Sequence, residues 1–229
     1  MNSIKKSTAI LLILALLATF SGCGNDRETT ADQTRTSAQT TLQSDAAQPD
    51  AAETTARNIL VVFFSRTGEQ YRVGMIDEGN TAIVAKMIAE QTGGGLYEIL
   101  PAEDNYPNTY KELTDYAKQE QAENARPAIR GELPDVSAYD TIFIGAPVWW
   151  GDWPMICYTF FESVDLSGKT LVPFSTHEGS GLSGFDRKLA SACPNAEVLD
   201  GLAVRGEDCQ KDRGGVQTAV TDFLAGLGY

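Results

Sequence analysis

The sequence predicts an α/β fold in which a parallel sheet of five strands is covered by helices on both faces. The first evidence is the uninterrupted apolar run Ile-Leu-Val-Val-Phe-Phe at residues 59–64, a pattern typical of a strand that is buried on both faces. Similar runs recur at residues 140–146 and 169–175, and amphipathic helical patterns separate them. Strands that alternate with helices predict parallel pairing through right-handed crossovers, with ligands bound beyond the carboxyl ends of the strands.

Five strands and five helices are predicted, in alternation. The strands are expected at residues 58–64, 96–100, 140–146, 169–175 and 197–204, of which the second and fifth have the weaker patterns. The helices are expected at residues 80–91, 106–123, 154–164, 183–193 and 212–227, each with apolar residues three and four apart. A domain of residues 57–229 is large enough to bury roughly 70% of the surface of its unfolded chain, and therefore to form its own core.

Charge and composition exclude several classes of function. The 229 residues include 18 Lys and Arg against 31 Asp and Glu, a formal net charge of −13. Such a chain repels phosphate backbones, so no nucleic-acid partner is expected. The single histidine, His177, rules out a histidine-cluster metal site, and four cysteines are too few for a disulfide scaffold. Cys193 and Cys209 flank the predicted fifth strand, and whether they form a disulfide is left open.

Residues 1–22 have the pattern of a bacterial lipoprotein signal peptide. Two lysines precede a run of small and apolar residues at 9–20, which is too short to span a bilayer comfortably. The run ends in Phe-Ser-Gly-Cys, which resembles a lipobox, with Phe20 in place of the usual leucine. We therefore expect an exported lipoprotein that is anchored to the cell membrane by lipid attached to Cys23. An ordinary signal peptide with a chance cysteine and an uncleaved anchor are the alternatives.

Residues 23–56 are predicted to form a disordered tether. They are rich in Thr, Ala, Gln and acidic residues, and Leu42 is their one large aliphatic side chain. This composition cannot bury enough apolar surface to offset the entropy lost on ordering. A flexible chain of this length spans roughly 30 Å, enough to hold the following domain clear of the lipid headgroups.

Polar residues follow the first predicted strand, where the fold places ligands. Ser65, Arg66 and Thr67 precede a glycine, and together they offer hydroxyl, guanidinium and backbone donors of the kind that a phosphate needs. Eleven residues, 69–79, intervene before the helix, so Asn80 and Thr81 are expected to cap its N-terminus and to add donors. The alternative is a polar turn that only caps the helix.

A tryptophan-rich loop follows the third predicted strand. All three tryptophans of the chain, Trp149, Trp150 and Trp153, fall within five residues, between a strand and a helix where they cannot all enter the core. We expect a flat ligand to stack on at least one of them, because an indole ring loses water when a planar ring covers it. The alternative is that Trp153 and one neighbour pack against the following helix.

A third polar loop, residues 175–181, follows the fourth predicted strand. Its glycines and hydroxyl residues expose backbone hydrogen-bonding groups at the ligand-binding end of the sheet. The loop also contains His177. A lone histidine is often a surface or packing residue, but this position equally supports a functional role.

The three loops occur in a fixed order, each at the end of a strand. Residues 59–68, 140–151 and 168–181 together resemble the FMN-binding loops of flavodoxins, in particular of an exported branch with a lengthened first loop. The resemblance extends over residues 58–228. It implies a flavodoxin-like three-layer sandwich with strand order 2-1-3-4-5, and FMN bound at the switch point of the sheet.

The resemblance also implies which residues bind FMN. The phosphate would be held by Ser65, Arg66, Thr67, Asn80 and Thr81. The isoalloxazine ring would lie beside Pro147, Val148, Trp149, Trp150 and Gly151, with the carbonyl of Gly151 offered to the N5 edge of the ring. The pyrimidine edge and far side would be lined by Ser175, Thr176, His177, Gly179, Ser180 and Gly181. Two positions depart from the family pattern: Gln70 stands where the short loop usually ends in a hydroxyl residue, and no residue matches the tyrosine that often covers the far side.

These features predict an FMN-dependent electron-transfer protein that exchanges electrons with partner proteins through its acidic surface. An NAD(P)H-dependent FMN quinone reductase is the alternative within redox chemistry. No G-x-G-x-x-G motif follows a strand, and export removes the protein from the cytosolic nicotinamide pool, so the carrier is favoured. A cofactor-free, tethered binding module is the alternative of another class. No catalytic residue and no metal ligand is predicted.

Overall fold

The computed structural model describes residues 58–229 of the chain. The predicted signal peptide at residues 1–22, the tether at residues 23–56 and the lipid attachment at Cys23 lie outside the described residues. Among residues 58–229, no helix combines the length and the apolarity that crossing a bilayer requires. No group of His, Cys, Asp and Glu side chains in the same part of the chain is arranged to hold a metal ion.

The predicted strands and helices are present, and a hairpin in the first loop and a short helix at residues 206–211 were not predicted. The strands are β1 (Ile59–Phe63), β2 (Gly68–Gln70), β3 (Gly74–Ile76), β4 (Gly95–Glu98), β5 (Thr141–Pro147), β6 (Thr170–His177), β7 (Glu197–Val198) and β8 (Leu202–Arg205). The helices are α1 (Asn80–Thr92), α2 (Tyr110–Ala122), α3 (Met155–Ser163), α4 (Phe185–Ala192), α5 (Gly206–Lys211) and α6 (Arg213–Gly226). The main sheet has the order β4-β1-β5-β6-β7, with β8 also paired to β6, and all its pairs are parallel. This confirms the predicted order 2-1-3-4-5.

Alternate residues of the central strands enter two separate cores. Leu60 and Val62 of β1 pack into the layer that contains α2, α3 and α4, whereas Val61 and Phe63 pack into the layer that contains α1, α5 and α6. Every residue of β1 is buried. The apolar run is therefore explained as predicted: helices cover both faces of β1, so none of its side chains faces water.

The predicted fifth strand, residues 197–204, is divided into two short strands. β7 pairs with β6 at Thr170 and Leu171, and β8 resumes the pairing at Phe174. Pro173 lies opposite the gap, and proline has no N–H to donate to a ladder. Gly201 crosses this point so closely that a Cβ there would lie 2.5 Å from the carbonyl oxygen of Pro173.

The long first loop contains an antiparallel hairpin that the sequence did not predict. β2 and β3 pair from Gly68 to Ile76, and the reversal of the chain uses left-handed backbone at Arg72 and Gly74, with φ of +70° and +73°. The hairpin is fixed to the start of α2, because the N–H of Glu69 donates to the carbonyl of Asn108 at 2.8 Å. Its strands have three residues each, too few for hydrophobic periodicity to give a signal.

The start of α1 differs from the prediction that Asn80 and Thr81 cap the helix. The capping position is Gly79, and Asn80 is the first helical residue. The N–H of Ala82 donates instead to the hydroxyl of Ser65, at 3.1 Å, so the cap comes from the loop after β1. A Cβ on Gly79 would lie 2.2 Å from that hydroxyl oxygen, which explains why only glycine fits there.

The three described cysteines are free and buried. Cys193 packs in the layer of α3 and α4, and Cys209 packs in the layer of α1 and α6. The sheet therefore separates the two thiols whose pairing the sequence left open. Burial also raises the pKa of Cys209 to about 12, which keeps this thiol protonated and unreactive.

Candidate functional site

A cavity of about 260 Å³ opens at the carboxyl ends of β1, β5 and β6. Its wall is completed by the N-terminal turns of α1 and α2. It brings together ten of the residues predicted to bind a cofactor: Ser65, Arg66, Asn80, Thr81, Pro147, Val148, Trp149, Trp150, Thr176 and His177. The three predicted loops therefore meet at one site, as the general rule for open parallel sheets requires.

The floor of the cavity is polar and buried. Thr81 and Thr176 are 1% and 4% exposed, and their hydroxyl oxygens lie 2.7 Å apart. Asn80 is held by Gln210, whose Nε2 donates to Oδ1 of Asn80 at 2.8 Å. This leaves the Nδ2 amide of Asn80 beside Gly206, where a Cβ would come within 2.5 Å of it. Buried polar groups cost free energy unless they are hydrogen-bonded, so the floor suits a ligand with polar groups.

Arg66 is fixed by the protein and keeps one donor free. Its NH1 group donates to both carboxylate oxygens of Asp104 at 2.7 Å, and its NH2 group donates to the carbonyl of Tyr106 at 3.2 Å. The guanidinium also lies 5.2 Å from the centroid of the Tyr106 ring. Its Nε atom is buried and has no hydrogen-bond partner. Arg66 therefore lines the cavity in a fixed orientation and contains a buried N–H without a partner.

Glu178 also lines the cavity and contains a second buried polar atom without a hydrogen-bond partner. Its Oε2 atom makes no hydrogen bond, and the nearest cation, Nε of Arg72, is 4.0 Å away. Burial raises the pKa of this carboxyl. An unsatisfied acceptor and an unsatisfied donor thus lie in the lining of one cavity, and each is costly to leave unpaired.

The tryptophan loop forms a tight turn. The N–H and C=O groups of Trp149 and Asp152 bond to each other at 3.0 and 2.9 Å, and both Trp150 and Gly151 have left-handed backbone, with φ of +50° and +73°. This is the geometry of a type I′ turn. Trp153 is buried, stacks on Phe185 at 3.7 Å and packs edge-on against Phe161 of the following helix α3 at 5.3 Å, as the alternative interpretation expects of this tryptophan.

The other two tryptophans face the cavity in different ways. Trp149 packs edge-on against Phe64 and Tyr106, each at 5.4 Å between ring centroids, which fixes it in the wall. Trp150 is 51% exposed, and its Nε1 donates to the carbonyl of Thr114 at 2.8 Å.

His177 is the last residue of β6 and lines the cavity. The N–H of Gly179 donates to Nδ1 of His177 at 2.9 Å, so a neutral ring carries its proton on Nε2. Burial, with the nearby charge of Arg205, lowers the pKa of His177. The ring is therefore neutral at pH 7, and its Nε2–H is a donor.

Six of the predicted binding residues do not line the cavity: Thr67, Gly151, Ser175, Gly179, Ser180 and Gly181. The carbonyl of Gly151 accepts a hydrogen bond from Nζ of Lys188. Ser175 is fully buried, and its hydroxyl donates to the carbonyl of Gly181 at 3.2 Å. The binding roles of these six residues stay predictions.

The family model for flavodoxins matches residues 58–215 of the chain. The chain belongs to the flavodoxin family. No curated protein matches this flavodoxin.

Solved structures are similar to this flavodoxin over most of its described residues. A candidate flavoprotein of Bacteroides uniformis is 31% identical, with a TM-score of 0.58, over 72% of this chain and 98% of that one. Another, of Bacteroides eggerthii, is 30% identical, with a TM-score of 0.56, over 71% and 94% of the two chains. The flavoprotein of Lactobacillus acidophilus, solved in complex with FMN, is 22% identical, with a TM-score of 0.53, over 69% and 97%, and shares the fold.

Several residues of this flavodoxin line the cavity but were not among the predicted binding residues. They are Gln70, Tyr71, Tyr110, Leu113, Thr114, Ala117, Glu178 and Gly206. Most belong to the hairpin or to α2. The lengthened first loop was the available signal, since residues inserted at the ligand-binding end of a sheet have to lie near the ligand. The sequence did not show that the insertion would reach α2.

Proposed function

We propose that this flavodoxin binds FMN in its cavity and transfers electrons between partner proteins, while a lipid on Cys23 tethers it to a membrane outside the cytosol. The observation that carries the proposal is the cavity at the carboxyl ends of β1, β5 and β6, which brings together ten of the residues predicted to bind FMN. The FMN complex of the similar Lactobacillus acidophilus protein also supports FMN as that ligand.

The floor has the donors that a phosphate group needs. Arg66 and the hydroxyl residues Ser65 and Thr81 line it, and α1 begins at Asn80, which lines the same cavity. A helix N-terminus favours negative charge. The acidic character of the whole chain does not prevent this, because a local arrangement of donors decides anion binding at short range.

The wall has the shape that a planar ring needs. Trp149 is held by two edge-on aromatic contacts, so its orientation is set before a ligand binds. His177 offers a donor from Nε2, and Glu178 offers an acceptor. Bound FMN would supply one- and two-electron transfer, and the protein would supply orientation and electrostatics.

Electron transfer between proteins is favoured over NAD(P)H-dependent quinone reduction by the absence of a dinucleotide-binding motif and by the expected export. Steady-state oxidation of NADH or NADPH by the purified protein distinguishes the two. Turnover with a quinone acceptor would favour the quinone reductase over the electron carrier as the function.

The decisive experiment is the absorption spectrum of the purified full-length chain, followed by heat release of any cofactor and titration of the apoprotein with FMN. We expect flavin bands, FMN in the released fraction, and quenching of flavin fluorescence on rebinding. A colourless protein that leaves added FMN fluorescent would contradict the proposal. The cofactor-free binding module would then be the better account.

A further inference from the structure

The hairpin formed by β2 and β3 is attached firmly to α2. The N–H of Glu69 donates to the carbonyl of Asn108, and the N–H of Tyr110 donates to the carboxylate of Glu69, both at 2.8 Å. The rings of Tyr71 and Tyr110 also pack together, with 5.5 Å between their centroids. Two strands of three residues are too short to fix a hairpin by themselves, so these contacts set its position on the α2 side.

Arg72 connects the tip of the hairpin only loosely to the other side of the cavity. Its Nε lies 4.0 Å from Oε2 of Glu178, the residue after β6, and its NH1 lies 3.7 Å from Oε2 of Glu207 in α5. The other seven ion pairs among residues 58–229 are shorter, at 2.5–3.3 Å. The hairpin is therefore bonded tightly at one side and weakly at the other.

Glu178 has an unused acceptor at the weak side. Its Oε2 is the buried atom without a hydrogen-bond partner, and the guanidinium of Arg72 is the cation that faces it. A charge-assisted N–H···O bond has a length of about 2.8 Å, so a shift of roughly 1 Å would convert the present approach into such a bond. An unpaired buried acceptor costs free energy, which favours this shift.

The hairpin also contributes to the cavity itself. Gln70 and Tyr71 lie in the cavity lining, beside residues of α2 and of the loop after β6. A ligand in the cavity therefore contacts the hairpin. Contacts that form in only one position of a mobile element shift its equilibrium toward that position, so the ligand and the hairpin are coupled.

We propose that the hairpin is a strap that closes over the occupied cavity, with Arg72 as its latch. When a ligand fills the cavity, the hairpin turns about its attachment to α2, and Arg72 donates a hydrogen bond to Oε2 of Glu178. The ligand enters while the latch is open, so the latch slows release and not entry. The inference rests on the proposed function only in taking FMN as the ligand.

The rates of FMN binding and release test the latch, measured by stopped-flow fluorescence on the full-length chain. We expect Arg72→Gln to raise the release rate about 3- to 10-fold, between the ranges of an exposed ion pair and of a hydrogen bond to a charged group. The association rate should change less than about 2-fold. Arg126→Gln is the matched control, because it removes the same charge at an ion pair with Glu162 away from the cavity, and it should leave both rates near those of the wild type.

A double-mutant cycle with Glu178→Gln separates the latch from a direct contact with the ligand. If Arg72 acts through Glu178, then Arg72→Gln should have little further effect on release once Glu178 is replaced. If Arg72 instead binds the phosphate of FMN, its effect persists in the Glu178→Gln background. That additivity would overturn the latch.

Hydrogen exchange followed by mass spectrometry reports on the hairpin directly. Saturating FMN should slow exchange at residues 68–76 in the wild type, and less so in Arg72→Gln. If FMN binds and leaves this exchange unchanged, the strap is wrong.

A wild-type chain that does not bind FMN would contradict the proposed function and leave the latch to be judged on the ligand-free protein. There Arg72→Gln should still speed exchange at residues 68–76, and Arg126→Gln should not. Equal exchange in these two variants would overturn the latch independently of FMN.

Discussion

At the scale of single residues, Arg66 uses some of its hydrogen-bond donors within the protein and leaves one without a partner. Asp104 and the carbonyl of Tyr106 fix its terminal nitrogens, which leaves Nε as a donor with a set direction. A guanidinium has N–H donors on three nitrogens, so some can be bonded while another stays available. The single ammonium group of a lysine cannot be shared in this way.

We therefore expect Arg66→Lys to weaken FMN binding by about 10- to 100-fold, the range for loss of a hydrogen bond to a charged group. Fluorescence titration of the apoprotein measures the effect. Arg126→Lys is the control, since Arg126 pairs with Glu162 and does not line the cavity. Equal affinities of the two variants would show that Arg66 does not contact the phosphate.

Glu120 of α2 is a buried carboxyl that makes stability depend on pH. It is 7% exposed, it accepts a hydrogen bond from the hydroxyl of Tyr106 at 3.3 Å, and burial raises its pKa to about 7. Because the folded-state pKa lies above that of an unfolded glutamate, the folded state binds the proton more tightly. This contribution to stability is present below about pH 4.5 and is lost as the pH rises toward 7.

We expect Glu120→Gln to raise the free energy of unfolding by about 1–2 kcal/mol at pH 8 and to have little effect at pH 4.5. Urea unfolding at the two pH values measures it. Glu90→Gln is the control, at an exposed position on α1. It should leave the difference in the free energy of unfolding between the two pH values as it is in the wild type. An equal difference in stability from the wild type at both pH values would show that this carboxyl has the same pKa in the folded and unfolded states.

At the scale of elements, the loop after β1 and the helix α1 depend on each other. Ser65 both lines the cavity and caps α1, and Gly79 allows the two segments to approach. The cap and the polar floor of the cavity are therefore one local structure.

Gly79→Ala should destabilise the domain by about 2–3 kcal/mol, because the new Cβ displaces the hydroxyl of Ser65 and leaves the N–H of Ala82 without its acceptor. It should also weaken FMN binding. Gly226→Ala is a matched control near the end of α6, where a Cβ meets nothing within 4 Å, and it should be neutral or slightly stabilising. Thermal unfolding compares them, and equal midpoints would contradict the close approach at Gly79.

The sequence predicted the elements whose signal lies within their own residues. The run at β1 predicted a strand covered on both faces because every one of its side chains is apolar. The hairpin was missed, since contacts with Asn108 and positive φ angles hold it rather than any periodic pattern. The break between β7 and β8 lies opposite Pro173 on the neighbouring strand, and Asp200 and Gly201 at the break are a local signal that the prediction of one continuous strand did not use.

The candidate site was predicted in part for the same reason. Trp149 and the residues after β1 and β6 follow strands directly, so topology brings them to one edge of the sheet. Tyr71 and Tyr110 come to the cavity because the hairpin folds onto α2, which is a tertiary contact. The signals for such contacts are spread over two segments, and neither segment shows them alone.

At the scale of the whole molecule, the proposed lipid on Cys23 would determine where the protein acts. We expect the wild-type chain, expressed in a bacterium, to fractionate with membranes, and Cys23→Ser to abolish lipid attachment. Intact-mass measurement on the detergent-extracted protein reports the lipid, and cell fractionation reports its effect. A Cys23→Ser variant that stays in the membrane would favour the uncleaved anchor.

The break between β7 and β8 affects whether copies of the protein can associate through the edges of their sheets. One edge of the main sheet is β4, of four residues, and the other is shared by β7 and β8, of two and four residues. Long, regular edges can pair with the edge of a neighbouring molecule, whereas short, interrupted ones are poor templates. Molecules concentrated on a surface by lipid anchors would meet often. The break opposite Pro173 therefore disfavours the joining of neighbouring molecules edge to edge into a continuous sheet.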